Sequence, residues 1–99
     1  MLTVIAKIKA KPDQGATFEA AAKKMLAHVK ANEPGTLSYI LHRSTADATT
    51  YLFYEVYQDQ AAFALHGGSP AMQEFFGALK GVVDGRPEIE MYEAIESAR

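Results

Sequence analysis

The chain has no cysteine. That excludes disulfides and thiolate metal sites and leaves the redox compartment undetermined. No apolar run approaches the roughly 20 residues of a membrane span. The opening Met1-Leu2-Thr3-Val4-Ile5-Ala6-Lys7 lacks the layout of a signal peptide, so a cytoplasmic protein with no membrane partner is expected. There is little charge of either sign in one place: the formal net charge is -2 and the Lys and Arg residues are scattered. Without a basic stripe, nucleic acid is not expected as a partner. No group of His, Asp and Glu has metal-ligand spacing, so no metal is expected. Gly67-Gly68 follows a helical pattern rather than a strand and lacks the Lys-Ser/Thr ending of a phosphate loop. No serine–histidine–acid order is readable, and there is no repeat, low-complexity segment or linker.

What remains is apolar and aromatic. Hydrophobic residues make up 48% of the 99 residues, with five tyrosines and five phenylalanines. This is enough for one domain, residues 1–99, with a real core. A domain of this size buries only roughly two-thirds of its unfolded surface, so a partner subunit would help.

Leu2 to Lys9 alternates, with Leu2, Val4, Ala6 and Ile8 on one face, which predicts a strand. After a turn at Lys11-Pro12-Asp13-Gln14-Gly15, the spacing of Phe18, Ala21, Ala22, Met25, Leu26 and Val29 predicts a helix. Glu33-Pro34-Gly35 stops it. Thr36 to Arg43 predicts a strand, with Leu37, Tyr39 and Leu41 on one face. Thr50 to Tyr57, dense in β-branched and aromatic residues, predicts another. Asp59 caps a short helix that runs to His66. Ser69-Pro70 opens a further helix whose stripe is Met72, Phe75, Phe76, Leu79 and Val83. A last strand covers about Glu88 to Ile95.

Strand, helix, strand, strand, broken helix, strand is the ferredoxin-like split βαβ order of an α+β protein. Right-handed crossovers place a four-stranded antiparallel sheet under helices on one face. The third strand carries Tyr51, Phe53 and Tyr57 on one side and Leu52, Tyr54 and Val56 on the other. Both sides need cover, and there is helix for only one. The simplest cover for the second is the same face of another copy, in a two-fold homodimer.

Glu55 and His66 are the candidate catalytic residues. A carboxylate in an aromatic strand costs free energy unless paired, and an imidazole can pair with it and move protons near neutral pH. His66 shares a helical face with Ala62 and Phe63, and so points at the sheet. It is either a buried histidine bonded to a carboxylate or carbonyl, or a general base in a pocket. Glu55 either pairs with Arg43 or a lysine, or orients His66 and raises its basicity. The tyrosines are core aromatics, of which one or two could line a pocket for a flat ring. His28 is expected at the surface and His42 at a strand edge or interface.

The opening Met1-Leu2-Thr3-Val4-Ile5-Ala6-Lys7-Ile8-Lys9, the turn Glu33-Pro34-Gly35-Thr36-Leu37-Ser38-Tyr39, the run Tyr54-Glu55-Val56-Tyr57-Gln58-Asp59, and Ala61-Ala62-Phe63-Ala64-Leu65-His66 followed by Ser69-Pro70 together resemble the antibiotic biosynthesis monooxygenase domain family. The resemblance covers nearly the whole chain. It implies a ferredoxin-like protomer that pairs into a dimeric α+β barrel, with an aromatic substrate held between sheet and helices. Several members use no metal or flavin, so no cofactor is expected. The family's strand-three glutamate falls on Glu55 and its helix histidine on His66. Tyr57 stands where members often carry Trp, and Ala71 where they often carry His. The implied function is a cofactor-independent monooxygenase acting on a small hydroxylated aromatic or quinol with molecular oxygen. His66 would be the base, Glu55 its orienting partner, and Tyr39, Phe53, Tyr57 and Phe63 the pocket walls. Two alternatives are an isomerase of a small polar carbonyl compound and a non-catalytic dimeric module that binds a small ligand. A pocket filled by aromatics would favour the module.

Overall fold

The computed structural model describes residues 1–99. Strands β1 (Leu2–Lys9), β2 (Thr36–Arg43), β3 (Thr50–Tyr57) and β4 (Glu88–Glu93) form one sheet in the order β2-β3-β1-β4, with every pair antiparallel. Helices α1 (Gly15–Asn32), α2 (Gln60–Gly67) and α3 (Pro70–Ala78) connect them. This is the ferredoxin-like α+β fold.

The core lies between the helices and one sheet face. Ala6 and Ile8 of β1 and Tyr51 and Phe53 of β3 meet Phe18, Ala22, Met25 and Val29 of α1 and Met72 and Phe75 of α3; Val4 and Tyr57 are buried further along the same strands. The rings of Phe18, Phe53 and Phe75 pack mutually at centroid separations of 6.1 to 6.4 Å, within the range of favourable aromatic pairs. Asp59 and Ser69 cap α2 and α3, accepting from the Ala62 and Met72 amides.

Four details depart from the sequence pattern. Leu37 does not share the covered face with Tyr39 and Leu41: the ladder skips it between Thr36 and Ser38, and it is half exposed. Such a bulge re-aims a side chain and sharpens the local twist. Phe76 is also half exposed, because the buried positions Met72, Phe75 and Leu79 already define the inward line of a 3.6-residue repeat. Helix α3 ends at Ala78, and Val82 rather than Val83 fills the core. Val83 forms a bridge to Ala10 instead. Strand β4 stops at Glu93 rather than Ile95, since Glu93 pairs with Leu2 and β1 begins there.

The opposite sheet face is bare. Ile40, Tyr54 and Ile5 are cross-strand neighbours on β2, β3 and β1. They form one apolar row that no helix covers, and Ile40 and Tyr54 are exposed. No helix of the structure is long and apolar enough to cross a membrane.

Candidate functional site

Three elements converge on His66. Helix α1 buries Phe18, Ala22, Met25 and Val29, and the same spacing of three and four residues next lands on Glu33. Its backbone N–H still closes the helix onto Val29, while Pro34 prevents continuation. The chain turns at Gly35, whose carbonyl accepts the Gln58 amide at 2.8 Å. A Cβ on Gly35 would sit 2.8 Å from the Ala62 Cβ. A side chain there would push α2 away, so glycine is what lets α2 settle on the turn. His66 follows Ala62 by one helical turn on the same face and so meets Glu33.

The imidazole Nδ1 of His66 lies 2.8 Å from Glu33 Oε1. His66 is 2% exposed and Glu33 6%. A carboxylate only accepts, so Nδ1–H donates to it and Nε2 is the ring nitrogen turned away from Glu33. The Thr36 hydroxyl donates to the same Oε1 at 2.8 Å. Glu33 Oε2 lies 3.0 Å from His28 Nε2, which is close enough for an ion pair. The two are nevertheless out of line for a hydrogen bond, and Oε2 is left buried without a hydrogen-bond partner.

Glu55 is buried, as expected, on the face of β3 shared with Phe53 and Tyr57. Its hydrogen bond is not to His66. The Tyr57 hydroxyl donates to Glu55 Oε1 at 2.5 Å, and it is Glu33 that orients the histidine. Arg43, the cation that might have paired with Glu55, instead donates to Glu19 at 2.9 Å. Burial pushes the Glu55 carboxyl up to about 7; the Tyr57 hydrogen bond opposes this, and the charge of Glu33 adds to it. Burial likewise pushes the Tyr39 and Tyr57 phenols well above their ordinary range, so both stay neutral donors.

Tyr39, Phe53, Tyr57 and Phe63 do gather here. Tyr39 stacks on Phe53 at 5.0 Å, and Tyr57 meets Phe63 at 5.3 Å. The His66 ring is 5.0 Å from Tyr39 and 5.4 Å from Tyr57. A groove of about 370 Å³ opens elsewhere, between α1 and α3, and none of these four rings lines it. His42 is exposed near the end of β2, as expected for an edge strand. His28 is not a free surface residue, because it reaches Glu33.

The sequence reading missed Glu33. Its signal was available: Glu33 continues the buried stripe of α1 by one further turn beyond Val29. The adjacent Pro34 accounts for Glu33 as a helix stop and so masks that signal.

Glu55 gives a pH prediction. Its folded-state carboxyl holds the proton more tightly than the ordinary value of 4.5. The associated stability is present below about pH 4.5 and is lost as pH rises through about 7. Glu55→Gln keeps an acceptor for Tyr57 and removes the charge. Relative to wild type, it is expected to gain on the order of 1–3 kcal/mol between pH 5 and pH 8. Urea unfolding at the two pH values and fixed protein concentration reads this directly. A stability difference independent of pH would contradict it.

A four-stranded split βαβ sheet carrying a buried histidine–carboxylate pair among aromatic rings defines the class: a ferredoxin-like α+β domain. The model of the antibiotic biosynthesis monooxygenase family matches residues 1–78, and the chain belongs to that family. A crystal structure from Caulobacter crescentus, described as a putative antibiotic biosynthesis monooxygenase, superposes with a TM-score of 0.92 at 36% identity, covering 96% of this chain and 90% of that one. A Bacillus subtilis protein named "Putative monooxygenase YcnE" is 26% identical over 97% of this chain and 100% of its own length. An uncharacterized Synechocystis protein is 28% identical over 97% of this chain, which spans 65% of that relative's length.

Proposed function

We propose that this protein is a cofactor-independent monooxygenase of a small hydroxylated aromatic or quinol. The observation that carries the proposal is the buried Glu33–His66 pair, in which the histidine's Nδ1 lies 2.8 Å from Glu33 Oε1. An electron-rich phenolate can reduce oxygen itself once its proton is gone. His66 Nε2 takes the phenolic proton, and Glu33 holds the ring and stabilises the imidazolium that forms. Oxygen then adds to an unsubstituted ring carbon ortho or para to the phenolate oxygen. One oxygen atom stays on that carbon, which loses its hydrogen, and the other leaves as water. The balance is phenol plus oxygen giving quinone plus water, and for a quinol, quinol plus oxygen giving hydroxyquinone plus water. His66 returns its proton to the departing oxygen. Tyr39, Phe53, Tyr57 and Phe63 wall the ring and keep water from it. Glu55 acts from behind Tyr57 by fixing its hydroxyl.

The test is oxygen uptake by metal-stripped protein with a panel of quinols. Uptake with formation of a hydroxyquinone and water supports the proposal, and quinone with hydrogen peroxide, or no uptake with any quinol, opposes it. A specific observation favours a second reading, the non-catalytic module: Tyr39 packs on Phe53 and Tyr57 on Phe63, and both tyrosines pack on His66, at centroid separations of 5.0 to 5.4 Å. Binding of a quinol without turnover would select that reading.

The homodimer belongs to this proposal. Two copies that join their bare faces through the Ile40–Tyr54–Ile5 row would close a barrel. The buried area should be on the order of 2,000 Å² in total. Sedimentation at micromolar concentration is expected to give the dimer mass, and a well-folded monomer there would contradict it.

A further inference from the structure

We propose that His28 is a positioning residue of this site, acting on His66 through the second carboxylate oxygen of Glu33. The inference rests on the reading of His66 as a base, and its starting point is an imbalance in how Glu33 is held. Oε1 accepts from both His66 and Thr36. Oε2 is buried and accepts from nothing. A buried carboxylate oxygen without a donor is costly, and His28 Nε2, at 3.0 Å, is positioned to relieve it.

The tautomer of His28 fits. The Asn32 amide nitrogen, Nδ2, lies 3.3 Å from His28 Nδ1 and, as an NH₂, can only donate to it. That places the histidine's own proton on Nε2, the nitrogen next to Oε2. A small rotation of the ring, one-quarter exposed at the side chain, brings the N–H into line. His28 also borders the groove between α1 and α3, where Lys24 on its own helix and Glu74 on α3 are the other charged groups. The carboxylate is then held at both ends, Oε1 toward His66 and Oε2 toward His28. The plane of the carboxylate sets the direction in which His66 Nδ1–H points, and so the aim of Nε2.

The test needs no substrate. In protein with ¹⁵N-labelled histidine, His66 is expected to show a protonated Nδ1, an unprotonated Nε2 and a downfield Nδ1 proton. His28→Ala should shift these resonances. It should also speed solvent exchange of the Nδ1 proton by about tenfold, the effect of roughly one lost hydrogen bond on local opening. His28→Gln, whose amide can donate to Oε2, should restore part of the wild-type signal. Lys24→Ala, in the same groove, should leave it unchanged. Wild-type shifts and exchange in His28→Ala would overturn the proposal, as would a wild-type His66 with Nδ1 unprotonated. If the signature appears and no quinol is consumed, the monooxygenase reading fails while the positioning role stands.

Discussion

His66→Gln is expected to lower quinol turnover by roughly 10²-fold or more, the usual contribution of a positioned general base. The fold should survive. The glutamine amide can donate to Glu33 Oε1 where Nδ1–H does now, at 2.8 Å, so the buried carboxylate keeps a partner. What disappears is the second ring nitrogen, the only part of His66 that can accept the substrate's proton. A mutant with near wild-type melting behaviour and a collapsed kcat is therefore the predicted outcome, read by oxygen uptake alongside thermal unfolding. If His66 were only a core residue, the melting temperature would move more than any activity. Wild-type turnover in this mutant would remove His66 from the chemistry.

Glu33 should give the largest loss of stability. Glu33→Ala deletes the acceptor shared by the His66 ring and the Thr36 hydroxyl. It leaves a 2%-exposed imidazole without its partner. Leaving the buried imidazole N–H and the Thr36 hydroxyl without their acceptor costs about 1–3 kcal/mol for each donor, measurable by urea unfolding at fixed protein concentration. Glu33→Gln separates stability from chemistry. It keeps the shape and an acceptor, so the fold should lose only about 1 kcal/mol. An amide that turns its NH₂ toward Nδ1 instead moves the ring proton to Nε2, and a protonated Nε2 cannot act as a base. Turnover should then fall by considerably more than stability does. A mutant as stable and as active as wild type would show that Glu33 neither holds nor directs His66.

The fold was readable from local signals because each element carries its own pattern. The alternation of β1, the stripe of α1 and the Asp59 and Ser69 caps are written within a few residues of one another. The bare sheet face could be anticipated from β3 alone, where Tyr54 and Val56 back onto Phe53 and Tyr57. His66 was legible for the same reason, as an imidazole on an apolar helix face. Its partner was not. Glu55 and Glu33 are both carboxylates at positions that face inward, and nothing local distinguishes which one reaches the histidine. The choice is made by the contact of Gly35 with Ala62, two residues far apart in the chain. Leu37 leaves the face its alternation predicts because a bulge between Thr36 and Ser38 breaks the two-residue period.

The central claim is that His66 takes a proton from a bound phenol. Anaerobic titration of the protein with a quinol, followed by ultraviolet difference spectroscopy, tests it most directly. At a pH where the free quinol is neutral, the claim predicts a phenolate band on binding to wild type that is absent on binding to His66→Gln. A quinol that binds wild type and stays neutral would contradict the claim.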